Sequence, residues 1–150
     1  NTLELDLALE QPPRLSNKLS LHTTNDDLGV PKIDMYWDNL SELEKRTVVT
    51  SAETLARELG VLNIGHVKYK SEFLTGESYK FNDPVNHHIG TTRMSNNFET
   101  GVVDKNCKVF GVSNLYVAGS SVFSTSSMVN PTYTIIAMSL RLGKYLKDIK

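Results

Sequence analysis

Leu3, Leu5, Leu7 and Leu9 alternate with Glu4, Asp6, Ala8 and Glu10, the period of two that marks a half-buried strand. Pro12-Pro13 ends that run. Across Lys18 to Asn25, Leu19, Leu21 and Thr23 share one face, Asp26-Asp27-Leu28-Gly29 supplies turn residues, and Ile33, Met35 and Trp37 alternate again. This pattern predicts a hairpin in which Gly29 takes a positive φ and Pro31 favours extended chain. Ser41-Glu42-Leu43-Glu44 fits a capping box, where a serine hydroxyl and a glutamate carboxylate satisfy orphan amides at a helix start. Val48, Ala52, Leu55 and Leu59 then recur at helical spacing, and Gly60 stands where a left-handed residue would close the helix. Such an amphipathic helix can cover one face of the preceding sheet.

Residues 61 to 86 lack a clear period and read as a surface loop, with a turn at Gly76-Glu77-Ser78 and a place for it beside a substrate. Asn114 to Ser121 reads as an apolar strand ending in a Gly-Ser-Ser turn. From Pro131 to Lys150, Ile135, Met138, Leu142, Tyr145 and Ile149 form one face of a final helix. Its lysines Lys144, Lys147 and Lys150 sit near the negative end of the helix dipole. The fold class expected is α+β: an antiparallel sheet with a covering helix, followed by a C-terminal strand and helix.

Composition narrows the functions available. At 150 residues the chain can bury a core of ordinary size. Sixteen basic and seventeen acidic residues give a net charge of −1 without a Lys/Arg block, which argues against a nucleic-acid partner. No apolar run reaches the length of a membrane span. The single cysteine, Cys107, has no partner thiol for a disulfide, a redox motif or a zinc site. It reads as a structural strand or turn residue, although Lys105 and Lys108 could favour its thiolate. His22 and His66 lack neighbours at metal-ligand spacing, so no metal is expected. The opening Asn-Thr-Leu-Glu-Leu-Asp has neither initiator Met nor leader pattern and looks like the interior of a longer protein.

Candidate chemistry gathers in two places. Asn86-His87-His88-Ile89-Gly90-Thr91-Thr92-Arg93-Met94 sets a histidine pair before a small-residue turn, and Asn130-Pro131-Thr132 heads the final apolar helix. Imidazole, which titrates at about 6.5, is suited to accepting a proton from a reacting hydroxyl. Either His87 or His88 could serve. Asn130 before Pro131 is also the ordinary order of an N-cap and first helical residue, which would explain both without catalysis. Asp104 in Gly101-Val102-Val103-Asp104 suits a turn better than an acid catalyst, and Arg93 suits a surface ion pair better than an anionic substrate.

Together with Val109-Phe110-Gly111-Val112 and Asn114-Leu115-Tyr116-Val117-Ala118-Gly119-Ser120-Ser121, these motifs resemble the C-terminal part of the glucose-methanol-choline family of FAD-dependent oxidoreductases. The resemblance covers nearly the whole chain. It implies that residues 1–85 are the substrate-binding sheet and helix, and that 86–150 are the flavin-facing catalytic part returning to the FAD-binding domain. In the family, the proton acceptor is the histidine three residues before the glycine of His-x-x-Gly-Thr, which is His87. The position of Asn130 holds the His or Asn that hydrogen-bonds the substrate oxygen. Gly119 and Ser120 fall where backbone amides approach the cofactor, and Pro131 and Thr132 begin a helix whose positive end favours a reduced, anionic flavin. Where many relatives have proline this chain has His88, and where many have aspartate it has Gly119.

No Gly-x-Gly-x-x-Gly follows a strand here, so the unit gripping the ADP part of FAD is expected in an N-terminal part of the same protein. The resemblance thus implies a fragment, inactive alone, of an enzyme that oxidises CH–OH groups of an alcohol or sugar by His-assisted proton removal and hydride transfer to flavin N5. A sugar or polyol is somewhat preferred. The rival from another class is a non-catalytic binding or interaction module that kept the fold and lost the cofactor.

Overall fold

Asp26 makes the tight turn of the molecule's only regular sheet among the described residues, which in this computed structural model are 7–38, 40–69 and 87–149. Its carboxylate accepts from the amides of Leu28 and Val30, both at 2.9 Å, and Gly29 has φ 79°. The flanking strands β1 (Lys18–Asn25) and β2 (Pro31–Tyr36) pair antiparallel with Leu19 opposite Met35 and Leu21 opposite Ile33. Those four side chains share one face, as the alternation predicts. All four are exposed. Trp37, expected to continue the alternation, lies just beyond β2.

The described residues divide into two compact units, one within Asn1–Glu10 and Asn39–Val85, the other within Gln11–Asp38 and Asn86–Lys150. In the first, α1 (Glu42–Val61) starts at the expected capping box: the Ser41 amide donates to Glu44 Oε2 at 2.6 Å and the Glu44 amide to Ser41 Oγ at 3.4 Å. Glu44, Val48 and Ala52 are its buried residues, and Tyr69 donates its hydroxyl to the Ala52 carbonyl at 3.2 Å.

The helix does not close at Gly60. It continues through Val61 to a cap at Leu62, and the left-handed residue is Asn63, with φ 53°. Asn63 N–H donates to the Gly60 carbonyl and Ile64 N–H to that of Leu59, the paired bonds of a Schellman ending. Glycine is tolerated inside the last turn, while asparagine accepts the left-handed conformation better than most side chains.

Two other elements depart from expectation. Residues 7–10, the described part of the first leucine alternation, are not in a strand. Asn114 to Ser121 is not a strand either: Lys108 and Tyr116 form one isolated bridge, and a single turn of 3₁₀ helix follows at Ser120–Val122. An apolar pattern reports burial, but a strand also needs a neighbour along its length. The expected turn at 76–78 lies outside the described residues.

In the second unit, α2 (Thr132–Asp148) packs Met138, Leu142 and Tyr145 against a core of Val103, Cys107 and Val122. Tyr145 meets Tyr116 edge-on, with ring centroids 6.3 Å apart. Cys107 is buried at φ 63° in the turn that Asp104 organises, where Asp104 Oδ1 accepts from the amides of Asn106 and Lys108 at 2.8 and 3.0 Å. Both therefore hold the structural roles expected. Beside them, Gly101 lets two backbones meet: a Cβ there would stand 2.7 Å from the Arg93 carbonyl oxygen and from Ser95 Cβ.

Candidate functional site

The histidine segment is stitched to the turn after Ala118. Amides of Gly90, Thr92 and Met94 donate to the carbonyls of Ser120, Ser121 and Val122 at 3.3, 2.9 and 2.8 Å. Gly90 has φ 85° and Thr91-Thr92 forms a turn, and the even-numbered amides around it reach the turn after Ala118. The odd side is engaged too, since the Arg93 carbonyl accepts from Val102 N–H at 2.8 Å. Two hydroxyls reinforce the pairing: Ser120 Oγ donates to the His88 carbonyl and Thr92 Oγ1 to Ser121 Oγ, each at 2.8 Å. The segment carrying His87 and the turn carrying Gly119 and Ser120 are thus adjacent, though about thirty residues apart in sequence.

His87 and His88 are both exposed, and neither imidazole has a hydrogen bond among the described residues. Gly119 has φ 120° and ψ −177°, a region essentially reserved for glycine. Apart from its chain neighbours, no atom lies within 4 Å of where its Cβ would stand. The space beside this backbone is open.

At α2 the expectation of an asparagine cap is corrected. The cap position is Pro131, with φ −77° and ψ −8°, and no side chain caps the helix. Pro131 has entered the helical region itself, so its carbonyl accepts from Ile135 N–H at 2.9 Å, and Asn130 is displaced one residue before the cap. The Asn130 carboxamide is exposed and free of that structural duty. Among the described residues no hydrogen bond reaches the amides of Thr132, Tyr133 or Thr134, the donors a helix start leaves unpaired. Among the described residues no hydrogen bond joins Asn130, Pro131 or Thr132 to the histidine segment.

Arg93 forms no ion pair among the described residues: its Nε donates to the Thr100 carbonyl at 2.7 Å. His22 Nδ1 is occupied by the amide and hydroxyl of Thr24 at 3.0 and 2.9 Å. Thr92, Ser121 and the Ser120 hydroxyl are the residues that sequence reasoning missed. Their signal was the matched Gly-Thr-Thr and Gly-Ser-Ser runs, each a glycine followed by small hydroxyl residues.

Comparison with known proteins places these motifs in one group. The family model for GMC oxidoreductases matches residues 13–139, and the chain belongs to that family of flavoprotein oxidoreductases. It is 30% identical over 144 residues to paromamine 6'-oxidase of Streptomyces fradiae, covering 95% of this chain and 25% of that protein. It is 29% identical over 143 residues to the fructose dehydrogenase large subunit of Gluconobacter japonicus, covering 92% of this chain and 24% of that one. A shorter match, 40% over 73 residues, joins 48% of this chain to 13% of 2-methyl-1,2-propanediol dehydrogenase of Mycolicibacterium austroafricanum. The chain spans about a quarter of the length of the first two. No helix of the described residues is long and apolar enough to cross a membrane.

Proposed function

We propose that this chain is the C-terminal substrate-binding and catalytic part of an FAD-dependent oxidoreductase acting on CH–OH groups of an alcohol or sugar. Its partner is the N-terminal FAD-binding part of the same protein. Residues 1–85 contribute the substrate-binding part, which holds the hairpin and α1, and 86–150 the flavin-facing part. The observation that carries the reading is the hydrogen-bonded pairing of the His87–Met94 segment with the Gly119–Val122 turn, which sets a histidine loop beside an open backbone. Relatives named for oxidising paromamine, fructose and a propanediol are in keeping with a hydroxyl-bearing substrate.

The residues fit a flavin. Gly119 and Ser120 would present backbone to it, and after Pro131 the unpaired amides of Thr132, Tyr133 and Thr134 begin a helix whose positive end suits the charge it gains. Bound FAD supplies the acceptor for the hydride leaving the substrate carbon. His87 takes the hydroxyl proton as the C–H bond breaks, so the alcohol becomes a carbonyl and the imidazole an imidazolium. Asn130 donates its carboxamide N–H to the same oxygen and holds it toward His87. Turnover requires the whole protein, and the fragment alone is inactive.

The test is steady-state turnover and flavin absorbance of the full-length protein on a panel of alcohols and sugars, wild type beside His87→Ala. Retained flavin with turnover reduced by about 10²- to 10⁴-fold is expected for loss of a general base. A parent protein without flavin that oxidises nothing on the panel would overturn the reading.

A further inference from the structure

The backbone pairing that holds the histidine segment runs from Met94 back to Gly90 and ends there. Between Gly90 and His87 one cross-link remains among the described residues, the 2.8 Å bond from Ser120 Oγ to the His88 carbonyl. Ser120 also accepts from Gly90 N–H through its own carbonyl at 3.3 Å. One residue therefore grips the chain on both sides of Ile89. It can do so because Gly119 turns the backbone through a glycine-only conformation, after which the 3₁₀ turn starts at Ser120. The carbonyl half of the grip is available to any residue. The hydroxyl half needs a short donor.

Neither His87 nor His88 has an imidazole hydrogen bond among the described residues, so their rings depend on the backbone for their position. We infer that Ser120 is a positioning residue for the proton acceptor: its hydroxyl, through the His88 carbonyl, fixes the chain next to His87. This assignment rests on the proposed role of His87. It gives the Ser120 side chain a task distinct from the cofactor contact expected of its backbone. Small displacements of a reacting group are costly, up to about 10²-fold for 1 Å. One lost neutral hydrogen bond shifts an equilibrium by about tenfold or less, and that sets the expected size.

The experiment uses the full-length flavoprotein and compares Ser120→Ala, Ser120→Thr, His87→Ala and the Ser120→Ala/His87→Ala double variant. Ser120→Ala should lower kcat by about tenfold, with KM, flavin content, flavin spectrum and melting temperature unchanged, and Ser120→Thr should recover most of the loss. In the His87→Ala background, Ser120→Ala should cost nothing further, because Ser120 acts through His87. Should Ser120→Ala fail to fold, Ser120→Cys, which keeps a small side chain with a weak donor, reads the same split. A wild-type kcat in Ser120→Ala beside a dead His87→Ala overturns the positioning role and leaves the function standing. So does loss of flavin in Ser120→Ala, or an undiminished loss in the double variant. Full activity in His87→Ala overturns the underlying function itself.

Discussion

The two long helices among the described residues begin in opposite ways. At α1 the sequence closes its own N-terminus, with Ser41 and Glu44 satisfying each other's amides. At α2 the cap position is a proline without a side-chain cap, Asn130 stands one residue earlier, and three first-turn amides have no partner among the described residues. A chain able to place a capping box at one helix has left the other open, and that open start carries Asn130-Pro131-Thr132. The difference teaches where stability and chemistry separate: α1's start is spent on its own fold, while α2's is free for a ligand.

That contrast can be broken at several points. The largest effect is expected at His87, where His87→Ala should cut kcat/KM by about 10²- to 10⁴-fold while the melting temperature holds; an equal fall in both would make it a fold residue. Gly101→Ala should act oppositely. A Cβ 2.7 Å from a backbone oxygen forces the Arg93–Ser95 segment away, at about 1–3 kcal/mol, readable as a lower denaturation midpoint. Ser41→Ala removes the closed helix start and should cost about 1 kcal/mol of stability, with kcat unchanged. The smallest effect is expected at Asn63→Gly, which relieves a left-handed non-glycine residue at φ 53°; a gain of a few tenths of a kcal/mol should raise the midpoint slightly.

What was legible in the sequence was whatever is decided locally. The hairpin turn and Gly29, the capping box at Ser41, the Asp104 turn and the Met138, Leu142 and Tyr145 face of α2 each follow from a few adjacent residues and their periodicity, while Ile149, expected on that face, lies past the helix and is exposed. What escaped depended on partners distant in sequence or on small competing energies. Asn63 rather than Gly60 ends α1 because a helix tolerates one glycine and stops only where the chain turns. Residues 114–121 look like a strand by composition, yet pairing is limited to one bridge. The grip of Ser120 on the histidine segment joins residues 32 apart, which no local pattern reveals. At the candidate site, family resemblance singled out His87, Asn130, Gly119, Ser120, Pro131 and Thr132. The plain capping role for Asn130 was the reading that the backbone at Pro131 removed.

The central claim is that the start of α2 serves a ligand and not the helix, and Asn130→Ala in the full-length protein tests it most directly through melting temperature and turnover measured on one preparation. The account predicts an unchanged melting temperature with kcat lowered by about 10²- to 10³-fold, the scale of a lost hydrogen bond to the reacting oxygen. A melting temperature lowered as by a lost cap, with turnover intact, would contradict it.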